Sequence, residues 1–287
     1  MQKQVWLNHI TFYVSLQANT GRVAGPWRRL TLFLAGAYNF GKHWRVATGR
    51  PLTGWGEGMS FRIGLIVPSS NTTMEPDYYR NLPADAEVYT ARMFLEDVTV
   101  AGEEEMLDVH FPRALRDIAT VHPDVVVFGC TSAGALRGNE YDALIVRRIQ
   151  EEAGCPGVSV IKSVREALQA RGRRVYLLTP YIDEVTERVA ASLRDDGLEV
   201  VAAHGMGIKA NTDIGRVTPQ EIAAFARKHG DAARRQADCL FLSCTNLRAM
   251  EVRAALEEEL GLPVETSNHA TFAATMRHYH ERVATRG

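Results

Sequence analysis

Two stretches decide the fold: residues 125–133, VVVFGCTSA, and residues 239–247, CLFLSCTNL. Each is a short apolar run, then a small residue, a cysteine and polar residues. A strand apolar at every position is covered on both faces, as in a parallel sheet. Pro68 precedes Cys130 by 62 residues and Pro180 precedes Cys244 by 64, so the two stretches hold equivalent places in two halves.

Working outward, residues 61–67 (FRIGLIV, closed by Pro68) and 87–93 read as further strands, with helices over 103–120 and 140–153. The second half repeats the plan, with strands at 175–178, 198–203 and 239–242 and helices near 182–193 and 219–229. Strand and helix alternate, which argues for an α/β protein with helices on both faces of parallel sheets. Each cysteine is expected to follow a buried strand and precede a helix. In open parallel sheets ligands sit outside the carboxyl ends of strands, where the next helix offers unpaired amides and a positive dipole end. That field is expected to lower a thiol's pKa.

The first 58 residues do not match this pattern. They hold all four tryptophans and seven Lys or Arg against one acid, about +6, while the remainder carries about -7. Met59 is read as the true start and residues 1–58 as translated upstream sequence, with Gly56, Glu57 and Gly58 encoded by purine-rich codons of the ribosome-binding type. A targeting peptide is the weaker alternative.

A formal net charge of -1 gives no call for nucleic acid or an anionic membrane, so a small molecule is the expected partner. The best apolar run, residues 30–40, is too short to span a bilayer and is interrupted by Gly36 and Asn39. Four cysteines without a CxxC pair make neither a disulfide framework nor a zinc site, and reduced thiols in a cytoplasmic protein are expected.

The segments PSSNTTME (68–75), GCTSA (129–133), TPY (179–181), KANTDIGR (209–216) and SCTN (243–246) occur in one order. Over residues 60–285 they resemble the maleate cis-trans isomerase and arylmalonate decarboxylase branch of the aspartate/glutamate racemase superfamily. The resemblance implies two pseudo-symmetric Rossmann-like lobes, residues 59–163 plus 268–287 and residues 164–267, with an active site in the cleft between them. It implies no metal, pyridoxal phosphate or nucleotide cofactor, and a homodimer or higher homo-oligomer. Carried over residue by residue, it makes Cys130 the nucleophile that adds to an alkene, and Cys244 the proton donor or acceptor on the opposite face. Asn71, Tyr181 and Asn211 match the family's carboxylate-binding positions. Ser70, Thr131, Ser132, Thr245 and Asn246 are placed to donate to a substrate carboxylate.

The expected activity is isomerisation of a small carboxylic or dicarboxylic acid, maleate to fumarate being the specific expectation. A two-cysteine racemase or a decarboxylase is the runner-up. Glutamate and aspartate racemases carry an acid in the first loop, where this chain has Ser69, Ser70 and Asn71. Arylmalonate decarboxylases keep a cysteine only in the second half, yet TSAGALRG after Cys130 is closer to their pattern.

Other features read as structural. Cys155 and Cys239 are small hydrophobes. Residues 205–210 fit G-x-G-x-x-A, but 211–215 read as loop, so a mobile lid is preferred to a dinucleotide site. His269, His278 and His280 lack ligand spacing, and Arg137 and Arg248 read equally as carboxylate binders or surface charges. A small-acid binding module is the non-enzymatic alternative.

Overall fold

The computed structural model describes residues 60–286. The readings of residues 1–58 and of Met59 as a start lie outside them.

The first half runs β1 (Phe61–Pro68), α1 (Met74–Asn81), β2 (Ala86–Met93), α2 (Val100–Glu105), a π-helical turn (Met106–His110), α3 (Phe111–Ala119), β3 (Val125–Phe128), α4 (Thr131–Leu136), α5 (Asn139–Ala153), β4 (Gly157–Ser159) and α6 (Val160–Gln169). The second runs β5 (Arg174–Thr179), α7 (Asp183–Asp195), β6 (Glu199–Gly205), α8 (Asn211–Ile214), α9 (Pro219–Gln236), β7 (Cys239–Leu242), α10 (Arg253–Leu260), β8 (Val264–Thr266) and α11 (Ser267–Arg286).

Two four-stranded sheets result, ordered β2-β1-β3-β4 and β6-β5-β7-β8, with every pairing parallel. The all-apolar strands are central: all four residues of β3 and of β7 are buried. Burying each large aliphatic side chain stabilises the fold by about 1.5–3 kcal/mol. The halves match down to single bonds, since Gly129 N–H donates to Ile66 O (2.7 Å) and Ser243 N–H to Leu178 O (2.8 Å). Each bond extends a central strand by one residue and sets the next residue, a cysteine, at the sheet's carboxyl edge.

Several elements depart from the sequence reading. The single helix expected over 103–120 is interrupted by the π turn, where Phe111 N–H donates to Met106 O. Pro112 explains this, because it lacks an N–H and its ring crowds the preceding turn. The helix expected to end near 229 continues to Gln236, started by Pro219 and a Thr218/Glu221 capping box. No helix directly follows Cys244: residues 245–252 are turns, and α10 begins only at Arg253. Asn211, expected in loop, opens the single helical turn of α8.

Candidate active site

Gly129 and Cys130 are where the first half turns from strand to helix. A Cβ on Gly129 would lie 2.8 Å from Met74 Sδ and Val67 Cγ1 and 2.9 Å from Ile66 O, so only glycine brings the chain close enough to place Cys130. Cys130 is extended (φ -138°, ψ 120°) and is the N-cap of α4. The Ala133 amide and the Ser132 hydroxyl, 3.8 Å away, are hydrogen-bonded to its sulfur.

Cys244 occupies the matching strand end in a different backbone state. Its φ of 124° lies where side-chain-bearing residues rarely sit, and among the described residues only it and His122 are non-glycine residues with positive φ. Such strain, of order 1–3 kcal/mol, persists only where the surroundings hold it. Here Cys244 N–H donates to Ser267 Oγ (3.0 Å), Asn246 N–H donates to Cys244 Sγ (3.3 Å), and the Tyr181 hydroxyl is hydrogen-bonded to the same sulfur. Tyr181 follows β5 directly and is buried.

The two cysteines, Tyr181 and Glu103 perturb one another electrostatically, so they share one buried region. Glu103, on α2, was not among the residues expected from sequence. It is fully buried, its Oε1 accepts the Ser132 hydroxyl, and its Oε2 has no hydrogen-bond partner among the described residues. Burial pushes its carboxyl up to about 8, against the opposing pull of the Ser132 hydrogen bond.

The expectation of acidified thiols is corrected. Burial drives the Cys130 thiol far above its ordinary value, with the Glu103 charge adding to it, while the Ala133 amide and Ser132 hydroxyl oppose. Burial pushes Cys244 up to about 11 despite the Tyr181 hydroxyl and the amides of Asn246 and Leu247. The first turn of the short helix α4 does not offset desolvation of the Cys130 thiolate, and no helix begins directly after Cys244. Cys155 and Cys239 are buried, raised to about 11 and about 12, and show no contact with this group.

Most of the carboxylate binders expected from sequence bond to one another. Asn71 Oδ1 accepts from the amides of Thr73 and Met74 (3.0 Å each), starting α1, and its Nδ2 donates to Thr245 Oγ1 (3.0 Å). Thr245 Oγ1 donates to Gly129 O (3.1 Å). Asn246 accepts from Thr72 N–H (2.8 Å) and donates to Asn211 O (2.7 Å), while Asn211 donates to Ser70 Oγ (2.8 Å). Thr131 Oγ1 donates to Ser267 Oγ (2.9 Å), so Ser267, also missed from sequence, joins both cysteine segments. The bonds of Asn71 and Gly129 with Thr245, of Thr72 with Asn246, of Ser70 with Asn211 and of Thr131 with Ser267 run between the halves and fix the loops that carry the thiols.

The segment 205–211 is a strap rather than an open loop. Its amides at Gly207 and Asn211 donate to Tyr181 O (3.0 Å) and Glu96 O (3.0 Å), Val98 N–H donates to Lys209 O (2.8 Å), and Lys209 pairs with Asp97 (3.0 Å). Cys130 and Cys244 are 4% and 5% exposed, so both lie in the protein interior. Surface hollows of about 460 and 420 Å³ lie elsewhere and are lined by neither cysteine. Arg137 is held by Asp108 (2.7 Å) and Arg248 by Glu251 (2.8 Å), as surface pairs. His269 bonds Glu265 (2.6 Å) and His278 faces Glu281 (3.4 Å). No group of three His, Cys, Asp or Glu able to hold a metal occurs among the described residues, and none of their helices is long and apolar enough to cross a membrane.

Two parallel-sheet halves with a thiol at each matching strand end, joined by a buried phenol and a buried acid, define a two-lobed racemase-like α/β protein. The arylmalonate decarboxylase family profile matches residues 63–287, and the chain belongs to that family. It is 30% identical over 216 residues to arylmalonate decarboxylase of Bordetella bronchiseptica, covering 75% of this chain and 89% of the relative. It is 26% identical over 237 residues to maleate isomerase of Nocardia farcinica, covering 79% and 93%. Among solved structures, that Nocardia isomerase as a cysteine-to-serine variant with a covalently bound succinylcysteine intermediate superposes with a TM-score of 0.69 at 25% identity, over 76% of this chain and 92% of the other. Maleate isomerase of Pseudomonas putida S16 with maleate gives 0.70 at 23% identity, over 76% and 91%, and speaks to the fold.

Proposed function

We propose that the protein isomerises a small cis-dicarboxylic acid, maleate to fumarate, through a Cys130–substrate adduct. The observation that supports this reading is the pairing of Cys130 and Cys244 at equivalent strand ends of one buried site, with Tyr181 bonded to Cys244. The succinylcysteine reported for the Nocardia relative is the adduct this chemistry requires.

The thiolate of Cys130 adds to one alkene carbon, and the displaced electron pair moves toward the far carboxylate. The Cys244 thiol, aided by Tyr181, protonates the second carbon. The former double bond is now single and rotates; Cys244 thiolate then removes a proton and the C–S bond breaks, releasing the trans acid and Cys130 thiolate. Amides at the start of α4, free of helical acceptors, are donors for the charge that develops on the carboxylate.

Decarboxylation of an arylmalonate-type acid is the second reading, favoured by the 30% identity to the Bordetella enzyme. It needs only the proton-delivering thiol, Cys244, and leaves Cys130 without a role. Cys244→Ser incubated with maleate and analysed by peptide mass separates the two. A mass increase of one maleic acid on the Cys130 peptide supports the isomerase; an unmodified peptide, with carbon dioxide released from an arylmalonate by the wild type, supports the decarboxylase.

A further inference from the structure

We infer that Glu103 takes the proton of the Cys130 thiol through the Ser132 hydroxyl, making Glu103–Ser132–Cys130 the unit that generates the nucleophile. This rests on Cys130 being the reactive thiol. The geometry is a chain: Cys130 Sγ lies 3.8 Å from Ser132 Oγ, and Ser132 Oγ hydrogen-bonds Glu103 Oε1.

Three observations make the chain more than packing. Glu103 is entirely buried and forms no ion pair among the described residues, an arrangement that costs stability because nothing compensates the desolvation of its charge. Its Oε2 has no hydrogen-bond partner among the described residues, although buried acids are nearly always satisfied. The ionisable groups that feel it are Cys130 and Cys244, on the two strand-end turns, and Tyr181 after β5; none is a cation. The site therefore holds one negative charge far more readily than two.

The step balances without a co-reactant. The Cys130 S–H bond breaks and its proton goes to Ser132 Oγ, while the Ser132 O–H bond breaks and its proton goes to Glu103 Oε1. A carboxylate and a thiol become a carboxylic acid and a thiolate. Elimination of product returns the thiolate, and the protons run back. Glu103 accepts the proton only in its ionised form, which becomes the major one above about pH 8. Because the buried Cys130 thiol is the weaker acid, the transfer is uphill and is drawn forward as the sulfur adds to its electrophile. Glu103 does not touch substrate in this account; it acts through Ser132.

Cys130 carbamidomethylation by iodoacetamide, followed by peptide mass from pH 6 to 9.5, tests this without any assumed substrate. In the wild type the labelling rate is expected to rise with pH and level off near the Glu103 midpoint of about 8. Glu103→Gln and Ser132→Ala are expected to lower the rate at pH 8 at least ~10-fold and to lose the plateau, with Glu103→Asp recovering part of it. Removing a mere negative neighbour does the opposite, easing thiolate formation, so a Glu103→Gln protein labelled as fast as wild type or faster overturns the relay. Absence of Cys130 labelling in the wild type up to pH 9.5 also overturns it. The expected profile in a protein that leaves maleate untouched upholds the relay and removes only the maleate assignment.

Discussion

Replacing Glu103 by Gln keeps the shape and the Ser132 contact but removes the ionisation. In the unfolded chain the carboxyl titrates at its ordinary value of 4.5; in the folded protein it titrates at about 8. Between those values the unfolded state sheds a proton the folded state keeps, so the contribution of Glu103 to stability is fully present below pH 4.5 and is lost as pH rises to about 8. The interval spans about 3.5 pH units at about 1.36 kcal/mol each, ~5 kcal/mol in all. That is a large part of the 5–15 kcal/mol typical of a whole domain. Local opening that hydrates the carboxylate limits the loss, so a value of ~2–5 kcal/mol is expected. Urea unfolding of both proteins at pH 5 and pH 9 reads the difference directly. Glu103→Gln gains on the wild type by that amount between the two conditions. An unchanged difference would mean that Glu103 is hydrated and ordinary, and the account of its environment fails.

Tyr181→Phe removes the hydroxyl that opposes burial at Cys244, raising that thiol above about 11 and slowing proton transfer by ~100-fold, read as loss of solvent deuterium entry into product. Asn71→Ala leaves the Thr73 and Met74 amides without their acceptor and Thr245 without its donor, and is expected to lower stability by ~1–3 kcal/mol in urea unfolding. A purely substrate-binding Asn71 would raise KM at unchanged stability. Gly129→Ala forces Met74, Val67 and the Ile66 carbonyl apart, and is expected to cost ~1–3 kcal/mol and most Cys130 labelling.

The two-sheet plan was legible because its central strands are wholly apolar and recur with their prolines and cysteines at nearly equal spacing. β4 and β8 escaped the reading because three residues each, beside Pro156 and Pro263, leave no periodicity to detect. Both cysteines and Tyr181 stand out in the sequence by their position after apolar strands and by the resemblance. Glu103 was hidden in a run of three glutamates that reads as a solvated helix face. A signal existed, since Met106 and Leu107 stand three and four residues on and are buried, placing Glu103 above an apolar stripe. Ser267 gave no such signal, because its meaning comes from contacts with residues 136 and 23 positions away. The thiol acidities are not legible because sequence shows the helix dipole and not the desolvation that outweighs it.

The central claim is that Cys130 opens the double bond of a cis-dicarboxylate, and a proton NMR time course on maleate tests it most directly. The account predicts fumarate signals from the wild type without added cofactor and none from Cys130→Ser. Maleate unchanged by the wild type, or turned over equally by Cys130→Ser, would contradict it.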